Sequence, residues 1–278
     1  MFKTRLSIFV VISSVLMYFL GTSEIDWVKL TVLCFGGYLL TGASNGFNQI
    51  WERDLDILMD RTKDRPIPAG RMSVKTAFVL SLVAALLGIV SMWVFINSTI
   101  GILSVLAIFS YVFLYTPLKQ HSVIAVVVGA FPGAIPPLLG YVAATGTFGL
   151  EAGILFMVQF FWQFPHFWSI AWVAHDDYQK ANYNLLPFLS GKSKASAWAI
   201  FVSCVLLVPA GALPWFFPIE QALVGDIAMI VSIIMGLWVL WKGWKLVKHQ
   251  DMKSARGLMF STFLYLPVVQ IIYLIDKI

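Results

Sequence analysis

Residues 48–71 read NQIWERDLDILMDRTKDRPIPAGR and close an apolar run that begins near residue 27. Glu52, Asp54, Asp56, Asp60 and Asp64 stand there among Arg53, Arg61, Lys63, Arg65 and Arg71. Asn48, Glu52, Asp56 and Asp60 recur every four residues, and steps of four drift only about 40° each around a helix. The spacing therefore predicts one broad face of oxygen ligands, with Asp54 pointing away from it and the helix stopping near Asp64, before Arg65-Pro66. Carboxylate and amide oxygens suit a hard cation such as Mg²⁺, which is bound by one or two carboxylates together with substrate phosphates. Guanidinium and ammonium groups beside such a row are what a diphosphate needs beyond its metal. Acids and bases at a membrane edge also form ordinary solvated pairs. Against that reading stands a second acidic pair, Asp176-Asp177, at the end of another apolar run.

The surrounding chain sets the class. It has 278 residues, 59% hydrophobic and 12% charged, with a mean hydropathy of +0.84; soluble domains carry roughly 25% charged residues. This is the composition of an integral membrane protein. The pI near 9.2 does not point to nucleic acid, because the basic residues punctuate the chain instead of forming one soluble face. Cys34 and Cys204 sit in apolar runs without His or Cys at ligand spacing, so neither a disulfide frame nor a thiolate metal site is expected.

Apolar windows of about 20 residues predict about nine spans, near 6–20, 27–50, 76–97, 99–116, 122–144, 150–174, 196–217, 222–241 and 257–275. All are expected to be helical, since lipid offers backbone polar groups no partner. Of the 19 basic residues, all but Lys29 and Lys277 fall on one side of this alternation. The positive-inside rule then puts the N-terminus in the cytoplasm and the C-terminus on the opposite side of an inner or plasma membrane. The long cytoplasmic loops, 51–75 and 175–195, hold nearly every acid that is not peripheral, while the outer loops, FPIEQ at 217–221 among them, offer little chemistry. No linker or soluble segment interrupts the chain, so a single domain over 1–278 is expected.

Two spans carry unusual polarity. Gln159, Gln163 and His166 follow i, i+4, i+7 beside Pro165 and are expected to line a wet or ligand-holding cavity; a helix–helix hydrogen bond from a buried imidazole is the competing reading. The fifth span has Gly129 and Gly133 at close-packing spacing and Pro132, Pro136 and Pro137 within it, which predicts a broken helix.

The pattern Asn48-xxx-Glu-xxx-Asp-xxx-Asp-Arg-Thr-x-Asp-Arg-Pro resembles the first acidic motif of the UbiA superfamily of intramembrane prenyltransferases, and Asp176-Asp177 occupies the place of its second. YTPLK at 115–119, GAFPGAIPPLLGY at 129–141 and WQFPHFWSIAW through DDY at 162–178 resemble its haem-farnesylating branch, and the similarity runs from about residue 5 to 275. The resemblance implies an all-α polytopic bundle of nine helices around a central cavity. It implies Mg²⁺, or another divalent cation, with farnesyl diphosphate at the cytoplasmic end and haem B as acceptor substrate, giving haem O.

On the same ground Asn48, Asp56, Asp60, Asp177 and Lys119 are expected to be catalytic. Metal ligands are drawn from Asn48, Glu52, Asp56, Asp60, Asp176 and Asp177; the second motif is an adjacent pair instead of a spaced DxxxD, which leaves either aspartate as the ligand. Arg61, Lys63, Arg65, Tyr115, Tyr178 and Lys180 are expected to bind the diphosphate end, and Gln159, Gln163 and His166 the acceptor. Expected partners are the bilayer and a haem-delivery protein or haem A synthase, with no nucleic acid. Two readings compete: the same chemistry on an aromatic or quinone-precursor acceptor, and a polytopic transporter. Transporters tend to carry midplane charges and inverted repeats, whereas these acids cluster at one end.

Overall fold

The structure is a computed structural model that describes residues 1–217 and 222–278; the outer loop at 217–221 lies, but for Phe217, outside the described residues. Among the described residues there is no β-strand, and nine long helical segments follow one another. They are α1 (Thr4–Gly21), α2 (Trp27–Trp51), α3 (Val74–Phe95), α4 (Ser98–Phe109), α5 (Ala125–Thr145), α6 (Leu150–Val173), α7 (Lys194–Ala210), α8 (Asp226–His249) and α9 (Met252–Ile275). Seven are long and apolar enough to cross a membrane, α4 counting together with its continuation to Leu118. The two outside that set, α2 and α6, carry the polar residues singled out above.

Caps set several boundaries. Asp26 Oδ1 accepts the Val28 and Lys29 amides, Asn97 Oδ1 that of Ile100, Ser73 Oγ that of Thr76 and Asp251 Oδ1 that of Ser254, each satisfying an amide the first turn leaves without an intrahelical partner. One boundary differs from expectation. α8 runs on to His249, past the expected end of its span at residue 241 and into the basic stretch that follows. Its lysines lie back on aromatic rings, with Lys245 Nζ 3.6 Å and Lys242 Nζ 4.7 Å from the centre of Trp241, so the charges do not have to leave the helix.

The chain divides into two compact units: Met1–Thr147 with Asp176–Tyr183, and Phe148–His175 with Asn184–Ile278. In the first, α1 packs on α5 and α2 on α3. The α1–α5 approach is closest at Gly140, where a Cβ would lie 1.9 Å from the backbone oxygen of Ser14. In the second, α6 packs on α7 and α9, and α8 lies against α7 and α9.

The prolines do not break α5. It is continuous from Ala125 to Thr145 with Pro132, Pro136 and Pro137 inside it, and α6 likewise runs unbroken through Pro165. Buried neighbours sustain a helix whose ladder has lost hydrogen bonds; about two-thirds of the α5 window is buried.

Gly140→Val should therefore cost at least about 2 kcal/mol, because the clash is with backbone that has no rotamer to yield. Gly153→Ala, in α6 with open space around the added carbon, should be neutral or stabilising by up to about 1 kcal/mol. Thermal unfolding of both variants in detergent would check the contrast.

Candidate functional site

The acidic row holds for three of its four members. Glu52 N–H donates to Asn48 O at 2.9 Å and Asp56 N–H to Glu52 O at 2.8 Å, so the i, i+4 succession survives the end of α2 and a single turn at Arg53–Asp56. Asn48, Glu52 and Asp56 are buried; Asp54 is exposed beside Arg53, as the helical geometry requires. Asp60 leaves the row. The Asp56 carbonyl, which would accept its amide in a continuing helix, accepts the Thr62 hydroxyl at 2.8 Å instead. The Asp60 amide turns to Asp177 Oδ1 at 2.8 Å, and the Arg61 amide to Asp177 Oδ2 at 3.2 Å. Residues 176–183 thereby join the first unit.

Each of these acids has a cationic partner. Lys119 Nζ lies 2.9 Å from Glu52 Oε1, and Arg65 Nη1 lies 2.8 and 2.6 Å from the two oxygens of Asp56. Asp60 pairs with Lys63 at 2.8 Å and with Lys180, which also reaches Asp177 at 3.2 Å. Arg61 donates to the Tyr178 hydroxyl at 2.7 Å. Hydrogen bonds from Lys180 and Lys63 hold the Asp60 carboxyl down to about 2. Burial works against ionisation of Glu52, but the Lys119 charge and hydrogen bond outweigh it and keep that carboxyl below its usual value. Asp176 is exposed. No group of three or more His, Cys, Asp or Glu side chains placed to hold a metal ion occurs among the described residues.

The far wall comes from the end of α4. Ser110–Tyr115 is a π-helical turn, continued by Thr116–Leu118. Pro117 has no amide to give the preceding turn, and its ring crowds the carbonyl four residues back. The Thr116 amide accordingly reaches five residues back, to Tyr111 O. The widened turn offers the Thr116 hydroxyl to Asn48 Nδ2 at 3.3 Å and sets Tyr115 beneath Lys119, with Nζ 4.6 Å from the ring centre. Gly129 makes room for that ring, since a Cβ there would meet it at 2.6 Å.

Sequence reasoning missed Thr116, Tyr183 and Lys3. YTPLK contains Thr116, so the motif itself was a signal. Nothing local marks Tyr183, whose buried hydroxyl lies near Glu52 without a formed hydrogen bond. Lys3, read only as a topology charge, is pulled down to about 7 by burial and by the charges of Arg65 and Lys119.

The polar stripe of α6 lies in the second unit and is buried. Gln270 Nε2, from α9, donates to Gln159 Oε1 at 3.1 Å, and His166 Nδ1 lies 3.1 Å from Thr262 Oγ1. The stripe thus meets a neighbouring helix. An apolar cavity of about 200 Å³ lies on a different side of α6, lined by Phe161, Phe164 and Trp168 with Ala199, Val202, Ser203 and Leu206.

Residues 7–266 match the UbiA prenyltransferase family. The chain is 46% identical over 276 residues to the protoheme IX farnesyltransferase of Christiangramia forsetii, covering 99% of this chain and 91% of the relative. It is 43% identical to that of Flavobacterium johnsoniae, with 99% and 92% covered. Among solved structures, a digeranylgeranylglyceryl phosphate synthase superposes with a TM-score of 0.81 at 19% identity over 99% of this chain and 95% of the other. A UbiA homolog from Archaeoglobus fulgidus bound to DMAPP and Mg²⁺ gives 0.69 at 14% identity, with 97% and 96% covered. At these identities the two structures speak to the fold alone.

The Glu52–Lys119 pair is buried on both sides, with side-chain exposures of 4% and 11%, so either partner alone should be costly. Glu52→Gln or Lys119→Met should each destabilise by about 3 kcal/mol or more, and the double variant should recover most of it, because a lone buried charge costs more than the pair contributes. Unfolding midpoints of the four proteins in one detergent would test the cycle.

Proposed function

The chain belongs to the UbiA prenyltransferase family, and from that premise we propose that it transfers a farnesyl group from farnesyl diphosphate to a vinyl group of haem B, with addition of water, to give haem O and diphosphate. Residues 1–278 act in this reading as one prenyltransferase domain of a multi-pass membrane protein. The donor end is carried by one observation: the Asp177 carboxylate gathers Asp60, Arg61, Tyr178 and Lys180 onto the unit that holds Asn48, Glu52, Asp56, Arg65 and Lys119. The choice of haem B as acceptor rests on relatives that match over 99% of this chain and are named protoheme IX farnesyltransferase.

A metal diphosphate suits the residues present. The carboxylates now paired with Lys and Arg would face the cation, and those bases the phosphate oxygens, the diphosphate supplying the ligands that one or two carboxylates leave open. The unbonded hydroxyl of Tyr183 near Glu52 is a further donor for such an oxygen. Asn48, Glu52, Asp56, Asp60 and Asp177, with Asp176 beside it, would hold Mg²⁺. When bound, the metal neutralises charge on the leaving diphosphate.

The protein's own groups do the rest. Arg61, Lys63, Arg65, Lys119 and Lys180 neutralise the diphosphate as the allylic C–O bond breaks and its electron pair leaves with oxygen, the kind of preorganised charge stabilisation that dominates such reactions. Tyr115 and Tyr178 pack beside Lys119 and Arg61 and hold those cations in place. The vinyl group then attacks the farnesyl cation, and water captures the resulting cation and loses a proton. Gln159, Gln163 and His166 serve the acceptor. Apolar walls keep stray water from the farnesyl cation, which it would otherwise hydrolyse.

The same reading places the N-terminus and the 51–75 and 175–195 loops in the cytoplasm and the C-terminus outside, in an inner or plasma membrane. A haem-delivery protein or haem A synthase is its natural neighbour there.

Purified protein given farnesyl diphosphate, haem B and Mg²⁺ should form a product heavier than haem B by one farnesyl group and one hydroxyl, and a chelator should stop it. Asp56→Ala should lower turnover by about 100-fold or more, while Asp54→Ala, exposed and paired only with Arg53, should stay within a few-fold of wild type. Product masses and initial rates decide this; an aromatic acceptor prenylated in place of haem would refute it.

A further inference from the structure

Thr262 of α9 is committed on both sides. Its hydroxyl donates to the Met259 carbonyl at 2.7 Å, and the same oxygen lies 3.1 Å from His166 Nδ1. A hydroxyl has one proton and a carbonyl has none to give, so the proton between Thr262 and His166 comes from the imidazole. His166 is thus the Nδ1–H tautomer, and its Nε2 carries the lone pair.

The rest of the ring is walled. Trp162 stacks on it with centroids 4.3 Å apart, and Phe263 meets it edge-on at 4.7 Å. Trp162 is in turn pinned by its Nε1, which donates to the Thr262 carbonyl at 2.8 Å. Thr262 therefore fixes the imidazole through its side chain and the stacking indole through its main chain. Nε2 has no hydrogen-bond partner among the described residues. The Nε2 lone pair is therefore not committed within the protein. A neutral imidazole held through its far N–H by a protein oxygen is the arrangement metal-binding histidines use, because that hydrogen bond sets tautomer, ring orientation and basicity.

We propose that His166 Nε2 is the axial ligand to the iron of the haem acceptor and that Thr262 is the positioning residue for that ligand. The inference rests on the reading of haem B as acceptor. The coordinate bond uses the Nε2 lone pair, and the Nδ1 proton stays where Thr262 holds it.

The test uses the full chain in detergent as wild type, His166→Ala, Thr262→Val and Thr262→Ser. Each is titrated with ferric haem B by absorbance, with electron paramagnetic resonance reporting nitrogen ligation, and farnesyl diphosphate binding is measured alongside. Wild type should bind haem with an imidazole signature. His166→Ala should lose that signature and regain it with added free imidazole. Thr262→Val should bind haem about 10-fold more weakly, Thr262→Ser close to wild type, and all four should bind farnesyl diphosphate equally.

An unchanged signature in His166→Ala, or wild-type haem affinity and spectrum in Thr262→Val, overturns the proposal. Should Thr262→Val fail to fold, the other two variants decide: a His166→Ala protein that imidazole does not restore, or a Thr262→Ser protein with an altered spectrum, overturns it. Haem bound by wild type without an imidazole signature removes the coordination and leaves the acceptor reading standing. Failure of wild type to bind haem at all removes both.

Discussion

The carboxylate of Asp177 accepts two consecutive backbone amides, those of Asp60 and Arg61, and the acidic end of the first unit is organised around that contact. Charge-assisted hydrogen bonds from amides to a carboxylate are short and strong. Here they let the chain leave the helical path after Asp56 without stranding the amides the helix would have used. From the turn so formed, Asp60 points to Lys63 and Lys180, and Arg61 reaches Tyr178. Tyr183, held three residues after Lys180 by its amide on Tyr178 O, arrives beside Glu52. The contact joins residues more than a hundred positions apart, and the Lys180–Asp60 and Arg61–Tyr178 bonds reinforce it.

Charge compensation is the second consequence. Asp56 and Glu52 are buried and each is matched by one cation, Arg65 and Lys119. Ion pairs out of water stabilise little, because desolvation consumes much of the attraction. What they provide here is arrangement: acid and base are held buried, oriented and adjacent. The π-helical turn at Ser110–Tyr115 serves the same end by presenting Thr116 and Tyr115 to Asn48 and Lys119. Such turns recur at functional positions because they re-aim side chains within an otherwise regular helix.

Helix contacts elsewhere follow from the lipid. With no hydrophobic gain from burying apolar side chains against one another, association rests on close approach and on polar pairs. Gly140 against Ser14 is the first kind, and Gln159 with Gln270 the second. The proline-bearing helices α5 and α6 remain whole within such packing, although proline alone argues for breaks.

The sequence by itself determined the class of protein, the placement of nearly every long helix, and the types of residue at the site. Hydropathy over twenty residues and the demand that buried backbone pair internally are local properties, readable without a partner. So was the row Asn48, Glu52, Asp56, which depends only on helical period. What the period could not show is where the helix yields. Asp60 left the row because Thr62 took the Asp56 carbonyl and Asp177 the Asp60 amide, and one of those competitors stands 117 residues away. The pairing of each acid with its own base, the arrival of Tyr183, the tautomer of His166 and the continuity of α5 were likewise decided by neighbours distant in sequence. Tertiary structure settled them because hydrogen bonds and charge pairs depend on distances that spacing along one helix does not contain.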